Sequence, residues 1–253
     1  MTTFIFGDVH GDRDRLARLL DQAYEASPGA VEVYSVGDLV DRGRDSKGVI
    51  DLCIEHGVKP ILGNHELWLR HLLVDGEFNP FAASEIMGGV ATLESYGLNE
   101  YADPLVMREV IPDTHREYLA FAPFYRNLEV GGRTYRLTHG GFHQRFASIL
   151  WETINEGGHR EGRTDAEACD ILVAVTAKQY AENILWGGAK RGNVFRFPDG
   201  SVQVFGHTPW RGGAEINDAG GYIALDTGCG TCPPYRLSGV LLTDDGDRQI
   251  LSA

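Results

Sequence analysis

The segment GDVHG at residues 7–11 places an aspartate and a histidine between glycines, directly after a short β-prone run at residues 3–6. Burying an acid and an imidazole in one tight turn costs free energy unless both find partners. Two segments of the same kind follow, GDLVDRG at residues 37–43 and GNHE at residues 63–66. Each follows an apolar run, at residues 31–36 and 58–62, that reads as a strand.

The segments between these strands have helical periodicity, at residues 12–26, 46–57 and 66–74. An alternation of strands and helices predicts a parallel sheet with helices on both faces. In such sheets ligands bind beyond the carboxyl ends of the strands, which is where all three polar segments lie. The sequence therefore predicts a site at that edge.

The remaining chain is less regular. Residues 75–125 are predicted to be a helical, cap-like region, and residues 128–141 to form a hairpin that turns at Gly131 and Gly132. A helix is predicted over 165–186, and short strands with turns follow. We expect one α/β domain over residues 1–253, with two facing mixed β-sheets, flanking helices and a site at the carboxyl ends of the strands.

Composition excludes several classes of protein. The 253 residues carry a formal net charge of −13, which disfavours binding to a nucleic acid duplex or an anionic membrane. No signal peptide or membrane-spanning run is recognisable, so a cytoplasmic protein is expected. Four cysteines are too few for a disulfide scaffold in a chain of this length, and the single CGTC motif at residues 229–232 cannot close a zinc site by itself.

Polar side chains collect at the ends of predicted strands in both halves of the chain. They are Asp8, His10, Asp38, Asn64, His65, His139 and His207. Carboxylate, imidazole and amide groups together suit borderline divalent metals such as Mn, Fe or Zn. Two such ions in one site form a clamp for hydrolysis at phosphorus. Asp38 is the natural bridging ligand, because its strand lies between the other two.

GDVHG, GDLVDRG and GNHE, followed by LTHGG at residues 137–141 and FGHTP at residues 205–209, resemble the motifs of the calcineurin-like metallophosphoesterases. The DRG at residues 41–43 resembles the phosphoprotein phosphatase branch, which also contains bacterial diadenosine tetraphosphate hydrolases. Five motifs in this order span most of the chain.

The resemblance implies a role for each matching residue. Asp8 and His10 match ligands of a first metal, Asp38 the bridging carboxylate, and Asn64, His139 and His207 ligands of a second metal. His65 matches the general acid, and Asp41 the carboxylate that orients it. Arg42 and Arg191 match phosphate-binding arginines. The implied cofactor is a pair of divalent ions, best matched by Mn.

The implied reaction is hydrolysis of a phosphate monoester by direct attack of a metal-bridging hydroxide, without a phosphoenzyme. The leading interpretation is a bacterial Ser/Thr protein phosphatase-like enzyme acting on a phosphorylated protein, a peptide or a small phosphoester. The alternative is a dinucleoside polyphosphate hydrolase, which needs more cations than the sequence places near the motifs. A catalytically dead binding module is disfavoured, because no ligand and no acid is missing.

Overall fold

Two five-stranded β-sheets with helices on their outer sides make up the computed structural model, which describes residues 2–27, 29–155, 162–190, 192–233 and 235–253. The strands are β1 (Thr2–Phe6), β2 (Val31–Ser35), β3 (Lys59–Pro60), β4 (Tyr125–Val130), β5 (Arg133–Thr138), β6 (Val202–Phe205), β7 (Glu215–Asn217), β8 (Tyr222–Ala224), β9 (Ser238–Thr243) and β10 (Arg248–Ser252). The helices are α1 (Arg13–Ala26), α2 (Ser46–Glu55), α3 (Asn64–Arg70), α4 (Gly89–Ser95), α5 (Pro104–Val110), α6 (Asp113–Ala120), α7 (Gln144–Asn155), α8 (Asp165–Gln179) and α9 (Ala181–Leu185).

The first sheet has the strand order β10-β9-β1-β2-β3. Its strands β1, β2 and β3 are parallel, and β9 and β10 complete it in antiparallel fashion. The second sheet has the order β4-β5-β6-β8-β7, with β5, β6 and β8 parallel and an antiparallel strand at each edge. The prediction of two mixed sheets with flanking helices is confirmed.

The alternation of side chains along the strands builds two separate cores. Ile5 of β1 faces the second sheet and packs in a cluster with Leu137 and Val204. Its neighbours Phe4 and Phe6 point to the opposite face and pack against the apolar side of α1 and α2. The two sheets therefore face each other across one apolar layer, as strands with period-two alternation require.

Local sequence explains where the helices begin. Asp12 caps α1 by accepting a hydrogen bond from the backbone N–H of Arg15, and Asp45 caps α2 in the same way through Gly48. Each cap satisfies a backbone donor that the first helical turn leaves free. The β4–β5 hairpin turns at Gly131 and Gly132, both with positive φ, as the sequence predicts.

Several predicted boundaries differ from the observed ones. Strand β3 has only two residues, because Pro60 has no N–H to donate to a ladder and confines the strand to the sheet edge. The helix predicted over 66–74 is α3 followed by a π-helical turn at His71–Asp75. The helix predicted over 165–186 breaks at Tyr180 into α8 and α9.

Helix α7 has no counterpart in the sequence-based prediction. At its start the Nδ1 of His143 accepts the backbone N–H of Arg145 at 3.2 Å. Residues 76–88 form a loop, and the three short helices α4, α5 and α6 follow it. That this region acts as a cap stays a prediction. In the described part of the chain, no helix is long and apolar enough to cross a bilayer.

Candidate active site

The polar residues predicted from the strand ends lie together at one edge of the two sheets. The loops after β1, β2 and β3 carry Asp8 and His10, then Asp38, Asp41 and Arg42, then Asn64 and His65. His139 follows β5 and His207 follows β6 in the second sheet. All of these side chains except Arg42 and His207 are almost completely buried.

Backbone strain is concentrated in the same loops. Six non-glycine residues in the described part of the chain have positive φ, and five of them belong to the predicted site. They are His10, Asp38, Asp41, Arg42 and His207, with φ between 48° and 71°. Such conformations cost about 1–3 kcal/mol each and persist where the surroundings enforce them. Their clustering is a second reason to take this edge as the candidate site.

Glycines let the loops approach one another. A Cβ atom on Gly63 would clash with the carboxylate and the backbone N of Asp38, and one on Gly206 would clash with the carboxylate of Asp8. Only glycine therefore fits at these two motif positions.

Two groups of potential metal ligands share Asp38. In the first group, His10 Nε2 and His65 Nε2 lie 3.7 and 4.0 Å from Asp38 Oδ2. In the second group, which also contains His207, His139 Nε2 lies 3.2 Å from the same oxygen. A carboxylate that belongs to both groups is placed as a bridging ligand would be.

Asn64 extends the second group, and Asp8 lies beside it. Asn64 Oδ1 lies 3.0 Å from His139 Nε2 and 2.9 Å from His207 Nδ1. The carboxylate of Asp8 accepts the backbone N–H of His207 at 3.0 Å.

Backbone carbonyls fix the orientation of two histidines. The Nδ1 atoms of His10 and His139 lie 3.1 and 2.8 Å from the carbonyl oxygens of Val40 and Val36. With Nδ1–H donating to a carbonyl, Nε2 faces the cleft. Metal-binding histidines have this arrangement.

The pKa values of the histidines separate in opposite directions. Burial lowers the pKa of His10 to about 3 and, with the nearby charge of His139, that of His207 to about 4. Burial opposes protonation of His139 too, but the carboxylate of Asp38 outweighs it and raises its pKa to about 10. The His139 imidazolium therefore lies against oxygens of Asp38 and Asn64, where a cation is favoured.

The donor set fits a pair of divalent ions. Two carboxylates, one amide oxygen and three imidazoles converge from two sheets, and the cluster attracts positive charge where they meet. Borderline dications prefer this mixture of oxygen and nitrogen donors.

A second set of contacts surrounds His65. Its Nδ1 lies 2.8 Å from Asp41 Oδ2, which also accepts the indole N–H of Trp68 at 3.0 Å. The hydroxyl of Thr92 donates to the other Asp41 oxygen at 2.6 Å. Burial lowers the pKa of His65, but the carboxylates of Asp38 and Asp41 outweigh it, so that the pKa lies above its ordinary value.

Arg42 covers the first group of ligands. Its two terminal nitrogens lie 2.9 Å from His10 Nε2 and from His65 Nε2. Its backbone N–H donates to the carbonyl of Gly88, which ties Arg42 to the loop at residues 76–88. The second predicted phosphate-binding residue, Arg191, lies outside the described residues.

Two buried acids at the site escaped the sequence reasoning. Glu66 accepts four backbone N–H groups, those of Asp38, Leu39, Val40 and Gly63, at 2.7–3.2 Å. In the sequence, Glu66 is visible only as the last residue of the GNHE motif.

Asp226 follows β8 at the same edge of the sheets, and burial raises its pKa to about 6. Burial is the largest cause that raises the pKa of Asp8, and the negative charge of Asp226 raises it further. The sequence could have indicated Asp226, because it directly follows the apolar run at residues 222–225.

The profile of the calcineurin-like phosphoesterases matches residues 1–211. The chain belongs to this family. Over 145 residues this phosphoesterase is 31% identical to the symmetrical bis(5′-nucleosyl)-tetraphosphatase of Acidovorax sp. (strain JS42), a match that spans 56% of this chain and 44% of that protein. Over 71 residues it is 42% identical to the enzyme of the same name from Escherichia coli O139:H28, covering 27% and 25% of the two chains. These matches span less than half of the relatives' length.

Solved structures share the fold of this phosphoesterase. A candidate diadenosine tetraphosphatase superposes with a TM-score of 0.57 at 22% identity, covering 100% of this chain and 93% of that one. A cold-active protein-tyrosine phosphatase from Shewanella sp. gives 0.54 at 16% identity, with 99% and 80% covered. Proteins of this family are hydrolytic and use dimetal centres.

Proposed function

We propose that this phosphoesterase binds two divalent ions, Mn being the best match, between the ligand groups that share Asp38. Asp8, His10 and Asp38 would hold the first ion, and Asp38, Asn64, His139 and His207 the second. When bound, the ions supply an activated water as nucleophile and neutralise phosphate charge. The proposal is supported by the convergence of these donors and by the family membership.

The chain's own residues would bind the phosphate and move the proton. The guanidinium of Arg42 offers two parallel N–H groups, which suit two phosphate oxygens. His65 would donate the proton at Nε2 to the leaving oxygen, while Asp41 holds Nδ1–H and favours the imidazolium. The raised pKa of His65 supports this role, because it favours the protonated form that an acid needs.

We further propose that the substrate is a dinucleoside polyphosphate, the alternative among the sequence-based interpretations. The supporting observation is a hollow of about 580 Å³ beside His10 and Arg42, whose lining includes three more arginines. These are Arg13, Arg15 and Arg44. A phosphate monoester needs cationic donors around one phosphate, whereas a polyphosphate chain needs them along its length. The names of the curated relatives point the same way.

The hollow has four arginines and three acids. Asp12 pairs with Arg15, Asp14 pairs with Arg13, and Asp45 is engaged as the cap of α2. Arg44 is exposed and makes no ion pair with any residue that the structure describes. We propose that Arg44 contacts the phosphate next to the one that Arg42 holds.

Hydrolysis of phosphoserine and phosphothreonine peptides is the second candidate. Binding of the phosphate by Arg42 and protonation of the leaving oxygen by His65 would be the same for such a peptide. The exposed position of Arg42 favours access by a peptide. We rank peptide hydrolysis second because a phosphopeptide has no further phosphates to occupy the arginine-lined hollow beside Arg42.

The test compares kcat/KM on diadenosine tetraphosphate with that on a phosphothreonine peptide, with Mn at matched ionic strength. We expect the dinucleotide to be preferred, and Arg44→Ala to reduce kcat/KM for it by about 10–150-fold, as the about 1.5–3 kcal/mol of a charged hydrogen bond predicts. Arg18→Ala is the matched control, because Arg18 is exposed on α1 and does not line the hollow. A peptide preference above tenfold, or equal effects of both variants, contradicts the proposal.

A further inference from the structure

A second hollow, of about 490 Å³, opens beside His65. Asn64 and His65 form its inner end, and its walls come from the π-helical turn, the loop at residues 76–88 and the segment after α9. The apolar side chains of the lining are Leu67, Trp68, Phe78, Pro80, Phe81, Ala82, Met87 and Trp186. Its volume lies within the about 300–1,000 Å³ of small-molecule sites.

Two large aromatic side chains on this wall are left in solvent. Phe81 is 60% exposed and Trp186 is 50% exposed, although they lie more than 100 residues apart in the sequence. Exposed aromatic groups that converge on one concave surface indicate a ligand rather than chance exposure. Trp186 also contacts the ring of His207, at 5.9 Å between centroids, so that this wall adjoins the candidate metal ligands.

The loop that carries Phe81 is held in shape by its own hydrogen bonds. The side chain of Asn79 accepts the N–H groups of Phe81 and Ala82 at 3.1 and 3.2 Å. At the end of the loop, Gly88 has a φ of 91° and accepts the backbone N–H of Arg42. The loop therefore presents Phe81 at a fixed position relative to the phosphate-binding arginine.

The charge of this hollow differs from that of the arginine hollow. No lysine or arginine occurs among the described residues that line it, and Glu77 contributes a negative charge. A phosphate group would therefore be disfavoured there. An uncharged, planar ring would be favoured, since it can stack on aromatic side chains.

We propose that this hollow binds an aromatic ring of the substrate, close to the acid His65. Under the proposed function, on which this identification rests, the ring is a nucleobase. The same chemistry would accept the ring of a phosphotyrosine. Phe81 and Trp186 are then residues that determine specificity.

The experiment uses Phe81→Ala in the Mn-loaded enzyme and measures kcat/KM on diadenosine tetraphosphate, a phosphotyrosine peptide and the phosphoserine peptide of the same sequence. Phe81 is the better probe, because Trp186 contacts a candidate ligand. Stacking contributes about 1–3 kcal/mol per base. We therefore expect kcat/KM on each aromatic substrate, divided by kcat/KM on the phosphoserine peptide, to fall at least about fivefold.

Two matched controls separate binding from a general effect. Ile86→Ala changes a side chain that is 81% exposed in the same loop, and Phe121→Ala removes a phenylalanine that is 83% exposed on the segment after α6. Neither residue lines the hollow, so the ratio should stay unchanged in both variants.

A selective loss on the dinucleotide upholds the subsite with a nucleobase as its occupant. A selective loss on phosphotyrosine alone upholds the aromatic subsite with a tyrosyl ring, and if the wild-type enzyme leaves the dinucleotide intact, the proposed substrate fails while the subsite stands. Equal losses on all three substrates, or no loss on either aromatic one, overturn the inference.

Discussion

Glu66 provides a direct test of how the site is held together. Its two carboxylate oxygens each accept two backbone N–H groups from the loops that carry Asp38 and Asn64. In Glu66→Gln, one of these oxygens becomes an NH2 group that faces two N–H donors. Two hydrogen bonds to a charged acceptor are lost, at about 1.5–3 kcal/mol each.

The expected loss in the free energy of unfolding is therefore about 3–6 kcal/mol, a large part of the about 5–15 kcal/mol of a typical domain. Urea unfolding of the metal-free protein, followed by circular dichroism, measures it. Affinity for Mn should also fall about 10–100-fold, because Asp38 loses its support. Glu109→Gln, at an exposed position on α5, should change stability by less than about 0.5 kcal/mol.

This account of Glu66 would be refuted if Glu66→Gln lowered the free energy of unfolding by less than about 1 kcal/mol. The dependence of that free energy on urea concentration and the affinity for Mn would then also be unchanged. If the variant does not fold, titration of the Glu66→Asp variant with Mn supplies the affinity. That variant keeps the charge but shortens the reach, and it should bind Mn more weakly than the parent enzyme.

Two further predictions concern the histidines. His65→Asn should keep the metals and reduce kcat by about 10²–10⁴ on alkyl phosphates, but much less on p-nitrophenyl phosphate, whose leaving oxygen scarcely needs a proton; equal losses on both substrates would count against His65 as the acid. The folded-state pKa of His139, about 10, lies above its ordinary 6.5, so the imidazole is protonated at pH 7.5 and binding of Mn at Nε2 must release that proton. Calorimetry in buffers of different ionisation heat should detect the release, with affinity rising as pH rises towards 10, and a heat independent of buffer would contradict it.

The motif glycines made the position of the site predictable. Gly63 and Gly206, which precede Asn64 and His207, stand where a side chain would clash with Asp38 and Asp8, so glycine before a polar residue at a strand end carries structural information that one sequence can reveal. The parallel order of β1, β2 and β3 then places Asp38 between its partners.

The two hollows were not predictable, because their walls come from segments far apart in the chain. Arg44 and Arg13 line the same hollow, where Gly11 and Gly43 let two loops touch. Sequence reasoning looked for cations in the later motifs and missed those of α1. Phe81 and Trp186 likewise meet only in the folded chain. Glu66 was visible in GNHE, but its role depends on four backbone N–H groups that no pattern records.

The central claim is that one carboxylate serves two metal ions. A crystal of the enzyme grown with Mn, measured at the Mn absorption edge, tests it most directly. The account predicts two anomalous peaks per chain, both in contact with Asp38, one beside His10 and the other beside His139. A single peak, or two peaks that do not share Asp38, in crystals of a preparation that is active with Mn would contradict it.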